Sequence, residues 1–328
     1  MTNGSSLSRK GNTMRLLLAV DTITTLNILL DHIEKRSWPT GTEAHVVSVV
    51  EDETVPLETW RLKGYGVSAV RHEMRRRGQQ LTALVTARLR ALGIPAQVTV
   101  LRGDPAFLIS FAAKKWSSDL ILVRAHNRTE FRNWLLGSVA KSLVDSAPCS
   151  VEIVREPRED PVEGIRNMRI LLATDGSDAA LAATREVAEM AYPEGTEVKV
   201  VSIINSISYS LEEIGLSLGK QSERAHRAIG KAVSILRKAP FRVTGEVIAG
   251  TTVRQILQRA HDWQADLIVI GTQPRRGWKR LISRDTAVGV ANGARCSVKV
   301  VRHFAENKQL PPMPETSRQD FRSFRPAA

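Results

Sequence analysis

Trp116-Ser-Ser-Asp-Leu-Ile-Leu-Val123 returns 147 residues later as Trp263-Gln-Ala-Asp-Leu-Ile-Val-Ile270, and this repetition decides the fold. The same offset relates Cys149-Ser-Val-Glu-Ile-Val-Arg155 to Cys296-Ser-Val-Lys-Val-Val-Arg302. A constant offset over separate matches is the signature of a duplicated structural unit. The sequence therefore predicts a tandem of two related domains.

The boundaries of the two copies follow from a third match and a linker. Met14-Arg-Leu-Leu-Leu-Ala-Val-Asp21 matches Met168-Arg-Ile-Leu-Leu-Ala-Thr-Asp175 at an offset of 154. The segment between the copies, Glu156-Pro-Arg-Glu-Asp-Pro-Val-Glu-Gly164, is charged, contains two prolines and has no periodic pattern of apolar residues. The predicted organisation is a disordered tail at 1–13, a first domain at 14–155, a linker at 156–167, a second domain at 168–303 and an extended or disordered tail at 304–328.

The apolar runs of each copy are short, β-branched and bounded by turn residues, which is typical of strands buried on both faces of a parallel sheet. Helical stretches separate them, and this alternation predicts an α/β fold with a doubly wound sheet. The predicted strands are 15–20, 44–50, 97–101, 120–123 and 151–154 in the first copy, and 170–174, 198–204, 242–248, 267–270 and 298–301 in the second. The predicted helices include 66–92, 179–191, 222–238 and 252–263.

The composition is that of a globular protein: 328 residues, 42% hydrophobic and 25% charged, which is long enough for two buried cores. The net charge of +13 is spread over both halves, so it indicates a basic surface and leaves an anionic partner open. Cys149 and Cys296 are too few for a disulfide scaffold or a zinc cluster, and we expect both thiols to be buried. No apolar stretch is long enough to cross a bilayer and the N-terminus lacks a signal-peptide core, so we expect a cytoplasmic protein without membrane insertion.

Two motifs of the sequence resemble those of a known family. Ala173-Thr-Asp-Gly-Ser177 ends a strand in Asp and continues through Gly-Ser into a helix, and Leu135-Leu-Gly-Ser-Val-Ala140 followed by Ala147-Pro-Cys-Ser-Val151 closes the first domain. Both resemble segments of the universal stress proteins, and the resemblance covers nearly all of both copies. It implies two Rossmann-like, adenine nucleotide alpha hydrolase-like domains, each with a five-stranded parallel sheet. In members that bind ATP, it implies a nucleotide at the carboxyl ends of the strands, where the strand order reverses.

The phosphate loop of those members, with Gly, two residues, Gly, nine residues and Gly-Ser or Gly-Thr, is incomplete in the first copy. Its glycines let backbone N–H groups approach phosphate, and the final pair opens a helix. Arg124 and Asn127 replace the first two glycines, while Gly137-Ser138 remain. Two interpretations are open: charged side chains still bind a phosphate here, or the site has lost its ability to bind a ligand. The candidate ligand residues are Asp21, Arg124, His126, Gly137 and Ser138.

The loop of the second copy has lost its other end. Gly271 remains, but Pro274 removes an N–H donor and Asp285 places negative charge where phosphate would lie. The resemblance places Asp175, with Gly176 and Ser177, near a nucleotide, although Asp175 is also suited to capping the following helix. Gly103 and Gly250 match the strand-to-helix turn of the family.

The leading interpretation of function is a non-catalytic, stress-associated binding or regulatory protein with degenerate ATP loops and no certain cofactor. It is not expected to be an enzyme, because no nucleophile, general base or metal motif can be assembled. Adenine nucleotide binding in the first domain is one alternative. Binding of nucleic acid or an anionic surface, notably through the basic run Arg275–Arg280, is another. The expected partners are the last strands of the two domains, Val151–Val154 and Val298–Val301, pairing as a pseudo-dimer; a homodimer and a protein partner are left open.

Overall fold

The strands of both halves join in one sheet. A computed structural model describes residues 13–50, 67–125, 136–156, 167–204, 211–272 and 284–303. The strands within these ranges are β1 (Arg15–Val20), β2 (Glu43–Val50), β3 (Ala96–Arg102), β4 (Leu120–Arg124), β5 (Ser150–Val154), β6 (Arg169–Ala173), β7 (Glu197–Ile204), β8 (Arg242–Ala249), β9 (Leu267–Thr272) and β10 (Ser297–Arg302). Their order is β3-β2-β1-β4-β5-β10-β9-β6-β7-β8.

The helices within the same ranges alternate with the strands. They are α1 (Ile23–Glu34), α2 (Val67–Ala91), α3 (Pro105–Lys115), α4 (Ser138–Ser146), α5 (Asp178–Glu189), α6 (Leu211–Leu236), α7 (Thr252–Asp262) and α8 (Arg284–Gly293). Each half is a five-stranded parallel sheet in the order 3-2-1-4-5, the doubly wound arrangement. The predicted fold class is therefore confirmed.

The two halves meet through their last strands. β5 and β10 pair antiparallel, with Val298 opposite Ile153 and Val300 opposite Val151. All four side chains belong to a buried apolar layer that runs without interruption through both halves, beneath α3, α4, α7 and α8. The opposite face has two separate apolar clusters, one under α1 and α2 and one under α5 and α6. The pairing of the last strands expected from the sequence is thus present.

Two equivalent arginines, Arg155 and Arg302, reach across this junction. Arg155 donates from its guanidinium to the carbonyl oxygens of Ala291 in α8 (2.5 Å) and Cys296 (3.1 Å). In the reciprocal direction, Arg302 donates to the carbonyl oxygen of Val144 near the end of α4. The last carbonyls of a helix lack intrahelical partners and carry the negative end of its dipole, so a cation there is stabilising. Each half therefore caps a helix of the other.

Most predicted boundaries agree with the structure to within two residues, but the start of α6 was placed too late. The helix was expected to begin at Ser222 and begins at Leu211. Its first turns contain Gly215 and Gly219, and glycine lowers helix propensity by about 1 kcal/mol relative to alanine, so the local pattern is weak there. The expectation of two buried thiols was also only half correct, because Cys149 is buried and Cys296 is partly exposed.

Candidate functional site

A cavity of about 510 Å³ opens at the carboxyl ends of β1, β2 and β4 in domain 1. The strand order reverses between β1 and β4, and this reversal is where doubly wound sheets bind ligands. The volume lies within the range of small-molecule sites. Four of the candidate residues predicted from the sequence line the cavity together: Asp21, Arg124, Gly137 and Ser138.

Arg124 is the one cationic side chain among the described residues that line this cavity. It is the last residue of β4, and its side chain is only 19% exposed. One guanidinium nitrogen lies 3.2 Å from a carboxylate oxygen of Glu156, which is itself 51% exposed. Because the Glu156 carboxylate is half exposed, solvent screens this ion pair, and an incoming anion can replace Glu156 at the guanidinium.

The N-terminus of α4 forms another wall. Gly137 occupies the N-cap with an extended backbone, and its carbonyl oxygen accepts from the Lys141 N–H at 2.9 Å. Gly137 has no side chain to cap the helix, and Ser138 and Val139 of the first turn also line the cavity. Domain 2 helps to fix this wall, because Asn292 accepts from the Leu136 N–H at 3.0 Å through its side-chain oxygen. A helix N-terminus of this kind favours negative charge.

Asp21 lies at the end of β1, on the rim of the cavity, and is exposed. Its carboxylate accepts from the hydroxyl of Thr22, which caps α1 by accepting from the Thr25 N–H at 3.1 Å. Gly103 stands apart, in the turn between β3 and α3, where its φ of +134° favours glycine. The turn continues into Asp104, which caps α3. The residues that line the cavity do not include Gly103.

At the corresponding place in domain 2, the backbone of a helix lies directly against the end of the strand. A methyl group built on Gly271 would lie 2.1 Å from the carbonyl oxygen of Ala179, in the first turn of α5. The equivalent positions in domain 1 are Arg124 and Thr25, and both line the cavity. No side chain could occupy the Gly271 position with a helix so close, so α1 must lie further from β4 than α5 lies from β9. Gly271 thus has a packing role, which its interpretation as a loop remnant did not include.

The turn after β6 stabilises α5 in a way that differs from the sequence interpretation. Asp175 was offered as a helix cap, but Ser177 is the N-cap and accepts from the Ala180 N–H. Asp175 instead accepts from the Ser177 N–H at 2.9 Å, across Gly176, whose φ is +76°. The Asp175 side chain thus accepts from the backbone N–H two residues further on, which is the bond of an Asx turn. Gly250, with a φ of +139°, makes the equivalent of the Gly103 turn.

Several sequence candidates lie outside the described residues. They are His126 with the rest of segment 126–135, and Pro274 with the basic run at 275–280. Asp285 is described; it lies exposed in the first turn of α8. In the described ranges, no group of three or more His, Cys, Asp or Glu side chains is placed to hold a metal ion. A search of the same ranges finds no helix long and apolar enough to span a bilayer.

A second polar cluster, which the sequence did not predict, lies at the junction of the two halves. Glu152 of β5 is fully buried and contacts His32 and Arg36, which belong to α1 and the residues just after it. Lys299 of β10 is equally buried and contacts Glu186 of α5. The signal in the sequence was a charged residue between two valines or between valine and isoleucine in the middle of each last strand.

The fold and the cavity define a class: tandem α/β proteins with doubly wound domains and a cavity at the reversal of strand order. The universal stress protein family model matches residues 12–155 and again 166–302. The chain belongs to the universal stress protein family.

Relatives of known sequence and structure agree with this assignment. A universal stress protein of Methanocaldococcus jannaschii is 27% identical over 141 residues, which are 41% of this chain and 81% of that protein. One from Mycobacterium tuberculosis is 23% identical over 187 residues, or 56% of this chain, and the match spans 62% of that relative's length. The crystal structure of a universal stress protein from Archaeoglobus fulgidus has a TM-score of 0.60 at 18% identity, covering 90% of this chain and 100% of that chain. At this identity the structural match supports the fold alone.

Proposed function

We propose that the chain is a non-catalytic binding protein that holds a phosphate-bearing ligand of the adenine nucleotide type in the cavity of domain 1. The observation that carries the proposal is the convergence of Arg124 and the N-terminus of α4 on one cavity. A guanidinium and a helix N-terminus are two independent means of binding an anion. Domain 2, with α5 packed onto Gly271, serves as the structural partner.

Each cavity residue has a chemical role in this proposal. Arg124 donates to phosphate oxygens, exchanging its contact with Glu156 for the ligand. The backbone N–H groups at Ser138 and Val139 supply the helix end. Asp21, as a carboxylate, accepts hydrogen bonds from hydroxyl or amino groups at the other end of the ligand.

The departures from the family loop predict weak, charge-dependent binding. Arg124 occupies the position of the first loop glycine, so a flexible side chain replaces a close backbone contact. Because the binding energy then comes from partly exposed charge, salt should weaken it more than it weakens a glycine-lined site.

Calorimetric titration with AMP, ADP and ATP tests the proposal directly. Gly137→Glu puts a carboxylate at the helix end and should abolish the heat of binding. Ser146→Glu makes the same charge change at the other end of α4 and is the matched control, with binding retained. No heat at millimolar nucleotide, or equal affinity in both variants, would refute nucleotide binding in this cavity.

The non-catalytic part of the proposal has its own measurement. Nucleotide incubated with the protein should be recovered intact by chromatography, and steady release of phosphate above a protein-free blank would contradict it. Binding of nucleic acid remains a prediction from the sequence, because the basic run at 275–280 lies outside the described residues. Titration with single-stranded DNA at rising salt separates this alternative, since phosphate-backbone binding falls steeply with salt.

A further inference from the structure

The junction between the halves has a pseudo-twofold axis, and its position follows from the strand register. Equivalent residues of β5 and β10 are 147 positions apart, so Glu152 corresponds to Lys299. In the antiparallel pairing these two equivalent residues stand directly opposite one another. The axis therefore passes between Glu152 and Lys299. If two copies of the same strand paired in this register, the residue at the axis would lie opposite the identical residue of the other copy.

Glu152 brings a buried negative charge to the axis, with its counter-charges in its own half. One carboxylate oxygen lies 2.8 Å from His32 Nε2 and 2.7 Å from Arg36 Nη2; the other accepts from Arg36 Nη1 at 2.9 Å. Burial opposes ionisation, but the charge of Arg36, helped by the contact with His32, outweighs it and holds the pKa of Glu152 well below its usual range. The group is thus a carboxylate at neutral pH.

Lys299 brings a buried positive charge to the same place. Its Nζ lies 2.6 Å from Glu186 Oε1, an ion pair by distance whose angle falls outside hydrogen-bond geometry. Burial lowers the pKa of Lys299, but the charges around it, with Glu186 the largest and Tyr192 and Glu152 adding to it, more than compensate, so the net shift is upward. Glu186 stands at the position equivalent to His32, 154 residues further on. The two halves therefore carry opposite charge patterns at matching positions of helix and strand.

Glu152 and Lys299 each have a partner of opposite charge in their own half, so neither requires a direct contact with the other for its charge to be balanced. If a half paired with a second copy of itself instead of with the other half, the charge that its axis residue faces would change sign. Directly opposed strand residues have side chains about 5 Å apart, opposite charges there attract, and like charges are destabilising. The effect is larger at a buried site than in water. The exposed fraction of either residue is no more than 1%.

We propose that this charge pattern makes the junction heterotypic: the β5 edge accepts a strand edge with a buried cation at the axis and rejects a second copy of itself. The fitting partner is the β10 edge, from the same chain or from another copy in a domain exchange. Pairing of two domain 1 edges would bury two opposed carboxylates. Pairing of two domain 2 edges would bury two opposed ammonium groups.

The test makes one half a chemical copy of the other at the axis. In the triple variant Lys299→Glu, Glu186→His and Met190→Arg, domain 2 takes the residues that domain 1 has at the equivalent positions. Each axis carboxylate then has a local arginine, and the main defect at the axis is opposed like charge. Glu186→His also removes the acceptor of the Ser150 hydroxyl, a single hydrogen bond of 3.3 Å. Amide hydrogen exchange should show at least about tenfold loss of protection in β5 and β10, with β1 and β6 amides still protected as internal controls.

The restoring variant adds Glu152→Lys, His32→Glu and Arg36→Met, which exchanges the two charge patterns completely. Protection of β5 and β10 should return to within about threefold of the original. Unchanged protection in the triple variant overturns the proposal. So does failure to recover in the sixfold variant while β1 and β6 remain protected.

If the triple variant unfolds as a whole, urea unfolding of single and double variants tests whether charges interact across the axis. The urea midpoints of Lys299→Glu and Lys299→Met differ through repulsion from Glu186 and from Glu152. In a Glu152→Gln background, the second contribution disappears and the difference should shrink. An unchanged difference means that no coupling crosses the axis, and the proposal is then wrong.

Discussion

Replacing Gly271 by alanine should destabilise domain 2, because its new methyl group has no room. The methyl carbon would lie 2.1 Å from the Ala179 carbonyl oxygen, 2.3 Å from the carbonyl carbon and 2.7 Å from the Ala180 nitrogen. All three are backbone atoms of α5, so no rotamer change relieves the overlap. Overpacking of a core costs about 1–3 kcal/mol, and a backbone obstacle places this case near 3 kcal/mol.

Alanine also restricts the unfolded chain, which offsets roughly 0.4–1 kcal/mol and leaves a net loss of about 2 kcal/mol. If the whole chain unfolds as one unit, its 328 residues give an unfolding entropy of about 0.7 kcal/mol/K, so the thermal midpoint should fall by about 3 °C. Urea unfolding followed by far-UV circular dichroism measures the free energy. The control is Gly230→Ala on the exposed face of α6, where an added methyl group meets nothing within 4 Å. It should stabilise the protein by up to about 1 kcal/mol. A Gly271→Ala midpoint at or above that of the original protein would refute the close approach of α5.

Two further predictions concern a buried cation and a buried imidazole. Arg155→Met leaves the carbonyl oxygens of Ala291 and Cys296 without this donor and should lower the free energy of unfolding in urea by about 2–3 kcal/mol. The less buried equivalent, Arg302→Met, should cost less, and equal costs would contradict the difference in burial. Burial lowers the pKa of His45 to about 4 from an ordinary 6.5, so its contribution to stability is present above pH 6.5 and lost as pH falls towards 4, on the order of 3 kcal/mol. His45→Gln should therefore flatten the dependence of the urea midpoint on pH between 6.5 and 4.5, leaving a slope that includes His32, whose pKa burial also lowers. An unchanged slope would show that His45 is not the group that titrates.

The fold could be predicted because duplication repeats its signals. Short β-branched runs flanked by turn residues identify buried strands, and two copies of each run remove most of the ambiguity of a single one. The start of α6 was missed because local helix propensity is low where Gly215 and Gly219 fall.

The candidate site was predictable in part. Asp21 and Arg124 follow strands whose carboxyl ends share an edge, so their proximity was implied by topology. The role of Gly271 was not, because the sequence cannot show how closely a helix approaches a strand. The cluster around Glu152 was also missed, since its partners His32 and Arg36 meet it only after α1 has packed on the sheet. A charged residue in a buried strand indicates that a side chain of opposite charge lies beside it, but the sequence does not show which one.

The position of Glu152 also has a consequence for synthesis of the chain on the ribosome. β5 is complete 147 residues before its neighbour β10. At translation rates of 5–20 residues per second, a domain 1 that folds as it emerges presents an uncovered strand edge for about 7–30 s. Neighbouring ribosomes on one message would hold several such edges close together. An inward-pointing charge is one of the devices that discourage edge-to-edge aggregation. Glu152 lies at the centre of β5, the strand edge that stays uncovered until β10 has been made.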